Sequence, residues 1–379
     1  MKIFNKSEWK KVKLGDICDI LDSRRIPISE EKRIKGKYPY YGANGIQGYI
    51  NDYIFDEELV LLAEDGGNFG SKTKPIAYKI NGKTWVNNHA HVLKARNKII
   101  STDFLLYSLM FYDVTKLITG TTRKKLTRTG MEKITLFIPN LDVQDKITNY
   151  LQKIEKFISL RKNQLNYLKE LNKSLFTTMF GDIKTNDKNW EILEIKEVSN
   201  ILTRGKTPKY TSLSNIFVIN QACIYWDKIK YKNIKYHLEE ENLLFLKNKD
   251  ILINSTGTGT LGRMNIINNI INEKFTIDSH VMLLRLKKEK ALPIYFINIF
   301  MGEEYQKELI LKCVNGSTNQ IELSKEKFAK FKIPVPPIEL QNKFAERVEK
   351  IEKLKFEIEK SIEMVQNLYD SLISKYFDN

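Results

Sequence analysis

At 379 residues the chain is too long for one ordinary hydrophobic core and suits two or more domains. Hydrophobic residues make up 42% and charged residues 28%, which excludes a disordered polyelectrolyte, while 62 Lys and Arg against 46 Asp and Glu leave a net charge of +16 and point to a polyanionic partner. Three widely spaced cysteines (Cys18, Cys223, Cys313) with no CxxC pair exclude a disulfide framework and structural zinc.

The opening, MKIFNKSEWKKVKL, has no apolar run like a signal peptide. No later stretch reaches the roughly 18 apolar residues of a membrane span, so a cytoplasmic protein with no membrane partner is expected. Trp9 to Ile17 reads as a strand running into a short helix, and Tyr38, Tyr40 and Tyr41, interleaved with Gly42 and Gly45, as a loop. Glu58–Ala63 reads as a strand ending in a Gly-rich turn, followed by Asn88-His89-Ala90-His91 and a helix over Phe104–Tyr112. Thr121–Arg128 reads as a cationic loop, and Ile134–Pro139 as a closing strand.

A long apolar series follows Pro139, with Ile147, Leu151, Ile154, Ile158, Leu165, Leu168, Leu175 and Met179 stepping by three and four, as a coiled-coil seam requires. Gly181–Asn189 is polar and turn-rich and marks a boundary. The pattern then repeats. Trp190 to Val198 matches Trp9 to Ile17, Asp250–Asn254 matches the first apolar strand, and Asp278-Ser279-His280 matches the histidine segment. Pro293–Phe300 reads as the second short helix, and Phe331–Pro334 closes the block. A second seam follows at Phe344, Val348, Ile351, Ile358, Ile362, Val365, Leu372 and Tyr376, read as the first displaced by 197 positions.

The landmarks drift before that register settles: 181 positions separate the tryptophans, 189 separate His91 from His280, and 196 separate Gly120 from Gly316. A repeat with fixed helices and variable heads implies shared scaffolding and different ligands. The expected organisation is a first globular block over residues 1–141, a long helix over 142–180, a linker over 181–189, a second block over 190–335 and a second helix over 336–379. The first block carries 24 basic and 15 acidic side chains and the second 22 and 16, so the positive excess sits mainly in the blocks. The apolar seams can pair with each other, antiparallel if the halves obey a pseudo-twofold, or dock on another subunit; the reading favoured is pairing along the seam with docking on the outer faces.

Gly257-Thr258-Gly259-Thr260-Leu261-Gly262 matches a dinucleotide fingerprint, but Arg263-Met264-Asn265-Ile266 after it is β-branched and reads as hairpin rather than helix. A tight turn bringing backbone amides and Asn or Thr side chains to a ligand is the better account. His89, His91 and His280 have no carboxylate or cysteine at a supporting interval, so they read as structural or DNA-contacting rather than metal-binding. Asp65 and Asp278 stand as isolated carboxylates that do not correspond between halves. No paired acid and base, Walker A loop or methyltransferase tetrapeptide is evident, so no catalytic residue and no metal site is assigned.

The candidates for contact with nucleic acid are loop cations and amides. In the first half they are Tyr41, Asn44, Gln47, Asn68, Lys72, Arg123, Lys124, Lys125 and Arg128; in the second, Arg204, Lys206, Lys209, Thr258, Arg263, Asn319 and Gln320. Cations suit phosphates and guanine, and amides suit adenine.

Pro139-x-Leu141-Asp142-x-Gln144-x-Lys146 and Pro336-Pro337-Ile338-Glu339-x-Gln341-x-Lys343 each open a long helix. With Leu14-Gly15-Asp16-Ile17, the run Tyr41-Gly42-Ala43-Asn44-Gly45-Ile46 and Gly316-Ser317-Thr318 before a strand, the whole chain resembles the specificity subunit of type I restriction-modification enzymes. The resemblance implies an α+β architecture of two mixed α/β target-recognition domains, each followed by a long helix, with the helices paired as an antiparallel coiled coil. It implies a non-catalytic DNA-binding subunit that reads a bipartite double-stranded site, the helices setting the gap. It also implies two adenine-N6 methyltransferase subunits and restriction subunits as partners. Those partners, not this chain, would hold S-adenosylmethionine, ATP and Mg. The two blocks differ strongly in sequence, so unlike half-sites are expected. A self-contained modification enzyme and a coiled-coil adaptor binding RNA or acidic proteins are the alternatives.

Overall fold

The computed structural model describes residues 5–239, 243–257, 259–270, 273–316 and 321–378. The chain forms two compact units: one joins residues 1–163 to 359–379, and the other is the continuous segment 164–358.

In the first unit, Lys10–Lys13 pairs antiparallel with Thr135–Ile138, tying the start of the block to its end. A four-stranded antiparallel sheet runs in the order Cys18–Ile20, Ala90–Ala95, Leu59–Ala63, Ala77–Ile80. All five residues of Leu59–Ala63 are buried, so this strand reads as a continuous apolar run rather than an alternating one. The period of two is still present, because Val60 and Leu62 face a cluster with Phe104 and Leu105 of the helix Thr102–Met110, while Leu59 and Leu61 face another with Phe55 and Val86. A second four-stranded sheet, in the order Gly45–Ile50, Tyr38–Gly42, Lys83–Val86, Phe55–Asp56, covers that other side. Tyr38–Gly42 runs parallel to Lys83–Val86.

The second unit repeats this topology. Its central sheet is ordered Ser199–Arg204, Val281–Leu286, Ile251–Asn254, Met264–Ile266, and Ile216–Ile219 runs parallel to Lys274–Ile277 in the sheet beside it. Glu191–Glu194 pairs with Lys332–Val335 as the equivalent clasp. The segment after Gly262 is a strand paired back on Ile251–Asn254, so the glycine-rich stretch closes a hairpin and is followed by no helix.

The long helices span Leu141–Phe180 and Ile338–Phe377, 40 residues each. Each contributes to both units. In the first unit Ile147, Leu151 and the half-buried Ile154 join Tyr369, Leu372, Ile373, Tyr376 and Phe377 in one core, and Trp9 stacks on Tyr376 at 6.1 Å. The start of one helix thus packs on the end of the other, which is antiparallel pairing. In the second unit Phe176 and Phe180 lie 5.5 and 5.2 Å from Phe344, and Val348 shares their core. The fully packed residues here are Phe176 and Phe180, one position beyond the expected Leu175 and Met179, which remain half-buried. Ile158 and Ile351 are buried, whereas Leu165, Leu168, Ile358, Ile362 and Val365 are half-buried. The 197-residue displacement also fails at one rung, since Ile158 is matched by Lys355 and Ile358 by Arg161. The apolar seam is therefore interrupted by a cation near the middle of each helix.

The motif that opens each helix has a structural cause. Gln144 is fully buried; its Oε1 accepts from Ser101 N at 2.9 Å, and its Nε2 donates to the carbonyls of Ile99 and Pro139 at 3.0 and 2.9 Å. Gln341 repeats all three bonds, to Leu292 N (2.8 Å), Lys290 O (3.0 Å) and Pro336 O (2.8 Å). A buried amide needs every partner it can reach, and these two clamp each long helix to the loop before a short one. Gly181 ends the first long helix at φ +78°, a left-handed cap where a Cβ would meet the Asp187 carboxylate.

Candidate nucleic-acid interface

Three chain segments meet beyond the ends of the central strands of the first unit. Glu64 N donates to His89 O at 2.9 Å, and Leu126 N donates to Glu64 O at 2.7 Å. The segments after Ala63, before Ala90 and around Lys125 are thereby knotted together. Asn87 holds the middle turn, accepting from His89 N at 2.8 Å and donating to Gln47 Oε1 at 3.0 Å. Asn44, in the tight turn between Tyr38–Gly42 and Gly45–Ile50, donates to Gly66 O at 2.9 Å and accepts from Asn68 at 3.2 Å. At the rim, Asp65 Oδ1 lies 2.6 Å from His89 Nδ1 and accepts from Arg123 Nη2 at 2.7 Å.

Behind this rim lies an ionic cluster. His91 Nδ1 is 2.6 Å from Asp22, Arg25 is 2.5 Å from Glu64 and 3.5 Å from Asp22, and Lys125 is 2.8 Å from Glu64. Burial opposes charge on both carboxyls, but hydrogen bonds from His91 to Asp22, and from Lys125 and Arg25 to Glu64, outweigh it and hold both below their ordinary values. Asp22, Glu64 and His91 are close enough to surround a cation. They do not suit a metal, because Arg25 and Lys125 already neutralise the carboxylates and both ring nitrogens of His91 are engaged, by Asp22 and by Leu126 O at 2.8 Å.

The second unit ties the same knot. Ser255 N donates to His280 O at 2.9 Å, Leu323 N donates to Ser255 O at 2.8 Å, and Asp278 accepts from His280 N at 2.9 Å. His89 and His280 are thus equivalent at a displacement of 191, not His91 and His280 at 189. Asp65 is replaced by Thr256, whose Oγ1 lies 2.9 Å from His280 Nδ1 and donates to Gln221 Oε1 at 3.1 Å. Asn87 is replaced by Asp278, whose burial raises its carboxyl above the ordinary value despite the amide of His280. The fold is duplicated and the chemistry at the rim is not.

The family described as "Type I restriction modification DNA specificity domain" matches residues 6–170 and 187–365. The chain belongs to that family. It is 26% identical over 375 residues to a Haemophilus influenzae protein named for the specificity subunit of a type I restriction enzyme, covering 92% of this chain and 88% of the relative. It is 25% identical over 400 residues to the type I restriction enzyme MjaVIII specificity subunit of Methanocaldococcus jannaschii, covering 95% and 92%. The crystal structure of a type I restriction-modification S subunit from M. genitalium shares the fold with a TM-score of 0.63 at 15% identity, covering 100% of this chain and 98% of that one. This chain is accordingly a type I specificity subunit with two target-recognition domains, and it gives its system DNA sequence specificity. Among the described residues, no helix is long and apolar enough to cross a membrane.

The specificity subunit brings Tyr41, Asn44, Gln47, Asn68 and Arg123 to one rim, with Tyr41 O accepting from Asn87 N at 3.0 Å. Lys72 and Lys124 are exposed on the segments that carry Asn68 and Arg123, and Lys206 and Lys209 are exposed after the strand Ser199–Arg204. Arg263 lies over the Tyr225 ring at 5.5 Å. Thr258, Asn319 and Gln320 lie outside the described residues.

Several expectations need correction. Arg128 is not in the cationic loop, because Thr127 caps a short helix beginning there and Arg128 pairs with Glu132 at 3.0 Å. Arg204 is no free phosphate clamp, since its half-buried guanidinium is bound to Glu322 and to Leu323 O. The three tyrosines lie in a β-hairpin strand rather than a loop, and Tyr40 is 1% exposed with its hydroxyl bonded to Ile28. His89 and His91 do have carboxylates, Asp65 and Asp22, brought from distant parts of the chain, whereas the ring of His280 has the hydroxyl of Thr256. Asn87, Gln221 and Thr256 were not anticipated; an Asx two residues before each rim histidine was the available signal.

Proposed function

We propose that the two recognition domains, residues 1–141 and 190–335, each read one half of a bipartite, asymmetric double-stranded DNA site. Residues 142–180 and 336–379 then act as paired spacer helices that fix the gap, with 181–189 as linker. The observation that carries this reading is the duplicated three-segment knot with unlike side chains at its rim: Asp65, Asn87 and Arg123 in one, Thr256, Asp278 and Gln221 in the other. Equivalent scaffolds with different donors and acceptors suit two duplex segments of different sequence. The basic excess of both blocks and the exposed Lys72, Lys124, Lys206 and Lys209 support phosphate contact.

The long helices keep large apolar side chains on their outer faces, Tyr167 at 74% exposure, Phe356 at 66% and Met364 at 64%. Such faces support docking of two adenine-N6 methyltransferase subunits, with restriction subunits joining that core. Those partners hold S-adenosylmethionine, ATP and Mg, and the assembly works in the cytoplasm.

The test is to express the chain with its cognate methyltransferase subunit and map N6-methyladenine across the host genome at base resolution. A bipartite motif with two unlike halves and a fixed gap, absent without this chain, is the expected outcome. No new methylation from a soluble complex with an active methyltransferase would refute the reading and favour an adaptor role.

A further inference from the structure

His89 and His280 are held alike by backbone at both sides. Each offers its carbonyl to the residue that follows the central apolar strand, and its amide to an Asx two residues earlier. The side chains are not sequestered: His89 keeps 35% of its side-chain surface and His280 is exposed. In both, Nδ1 has a partner while Nε2 makes no hydrogen bond among the described residues.

The partners fix the tautomer. Both Asp65 Oδ1, at 2.6 Å, and Arg123 Nη2, at 3.3 Å, approach His89 Nδ1; the guanidinium already donates to Asp65 at 2.7 Å, and a carboxylate oxygen accepts, so the shorter contact takes its hydrogen from Nδ1. Thr256 has one hydroxyl proton and spends it on Gln221 Oε1, so it too accepts from Nδ1–H of His280. Two different partners impose the same result. With that hydrogen on Nδ1, the imidazole form of each ring presents its Nε2 lone pair outward as an acceptor.

We propose that His89 and His280 are the matched specificity-determining residues of the two recognition domains, each accepting a hydrogen bond at Nε2 from the exocyclic amino group of adenine or cytosine in the major groove. This rests on the reading that each domain engages one half-site. In the major groove only those two bases offer an amino donor, whereas guanine O6 and N7 and thymine O4 are acceptors that would face the lone pair. Around this common element the rims differ. Asp65 and Arg123 place a charged pair beside His89, while Thr256 and Gln221 place neutral groups beside His280, so the neighbouring base is read differently in each half.

The experiment compares methylation motifs of the wild-type chain, H89A and H280A, each expressed with the methyltransferase subunit. H89A is expected to relax one adenine or cytosine position in one half-site by roughly tenfold, with the other half and the gap retained, and H280A one such position in the opposite half. A wild-type motif that is bipartite, with both variants returning it unchanged or relaxed only at guanine or thymine, overturns the proposal. A wild type without a bipartite motif instead overturns the half-site reading itself. Should an alanine variant abolish methylation, H89Q or H280Q, which keep an acceptor, are expected to restore the wild-type motif. Their failure in complexes of unchanged melting temperature overturns the assignment.

Discussion

Replacing Gln144 with leucine keeps the volume of a fully buried side chain and removes three hydrogen bonds, to Ser101 N, Ile99 O and Pro139 O. At about 1 kcal/mol net for each bond the clamp contributes about 3 kcal/mol, and more where a deserted partner finds no water. Since 1.4 kcal/mol is about tenfold in an equilibrium constant, local opening of this joint becomes roughly 150-fold more frequent. Hydrogen exchange followed by mass spectrometry reads this directly. Peptides covering the start of the helix Thr102–Met110 and the first turns of the helix Leu141–Phe180 exchange faster by that factor, while residues 164–358 stay unchanged. Gln341→Leu gives the mirror result, with faster exchange near Leu292 and Pro336. A change of less than about threefold in either variant would refute the view that these amides clamp helix to head.

Asp278→Asn keeps the acceptor that His280 N needs and removes a carboxyl whose ionisation burial disfavours. Because the folded state raises this carboxyl above its ordinary 3.8, its charge costs stability at higher pH; the variant is expected to melt higher at pH 7, with the difference closing below that value in thermal scans. Asp22 and Glu64 have the opposite sign: both are lowered, so their contribution is complete above their ordinary values of 3.8 and 4.5 and is lost as pH falls through the lower folded values. Protection factors for exchange around residues 22–25, 64 and 89–92 should fall in acid, and Glu64→Gln should flatten that dependence. Inserting four residues in both long helices adds about 6 Å to each, close to two base pairs at about 3.4 Å. The methylated motif should widen by two positions, and an unchanged gap would sink the spacer idea.

The long helices were legible because their displacement is constant: Gln144 and Gln341, Ile147 and Phe344, and Leu175 and Leu372 all stand 197 apart. Strand and helix assignments in the heads followed from apolar runs such as Leu59–Ala63 and Pro293–Phe300. The equivalence of the rims was hidden by loops of different length, which shift the displacement from 181 at Trp9 to 191 at His89 before it reaches 197. Pairing the wrong histidines followed, since His91 and His280 both precede a valine. The ion pairs were beyond reach for another reason: sheet pairing brings Asp22 to His91 across 69 positions, and no local pattern encodes that distance. Arg204 looked free in sequence because its partner Glu322 comes from another sheet.

The two units are also assembled from the chain in different ways. Residues 164–358 form one uninterrupted segment, whereas residues 1–163 close their core only with Tyr369, Leu372, Ile373, Tyr376 and Phe377. On a ribosome the later unit therefore has its full complement of residues first. The earlier one waits, with Trp9, Phe104, Ile147 and Leu151 lacking their cover, until the last turns of the final helix emerge. A polypeptide cut off just after residue 358 would keep its second unit intact and present an open apolar face on the first, a natural target for chaperones and proteases.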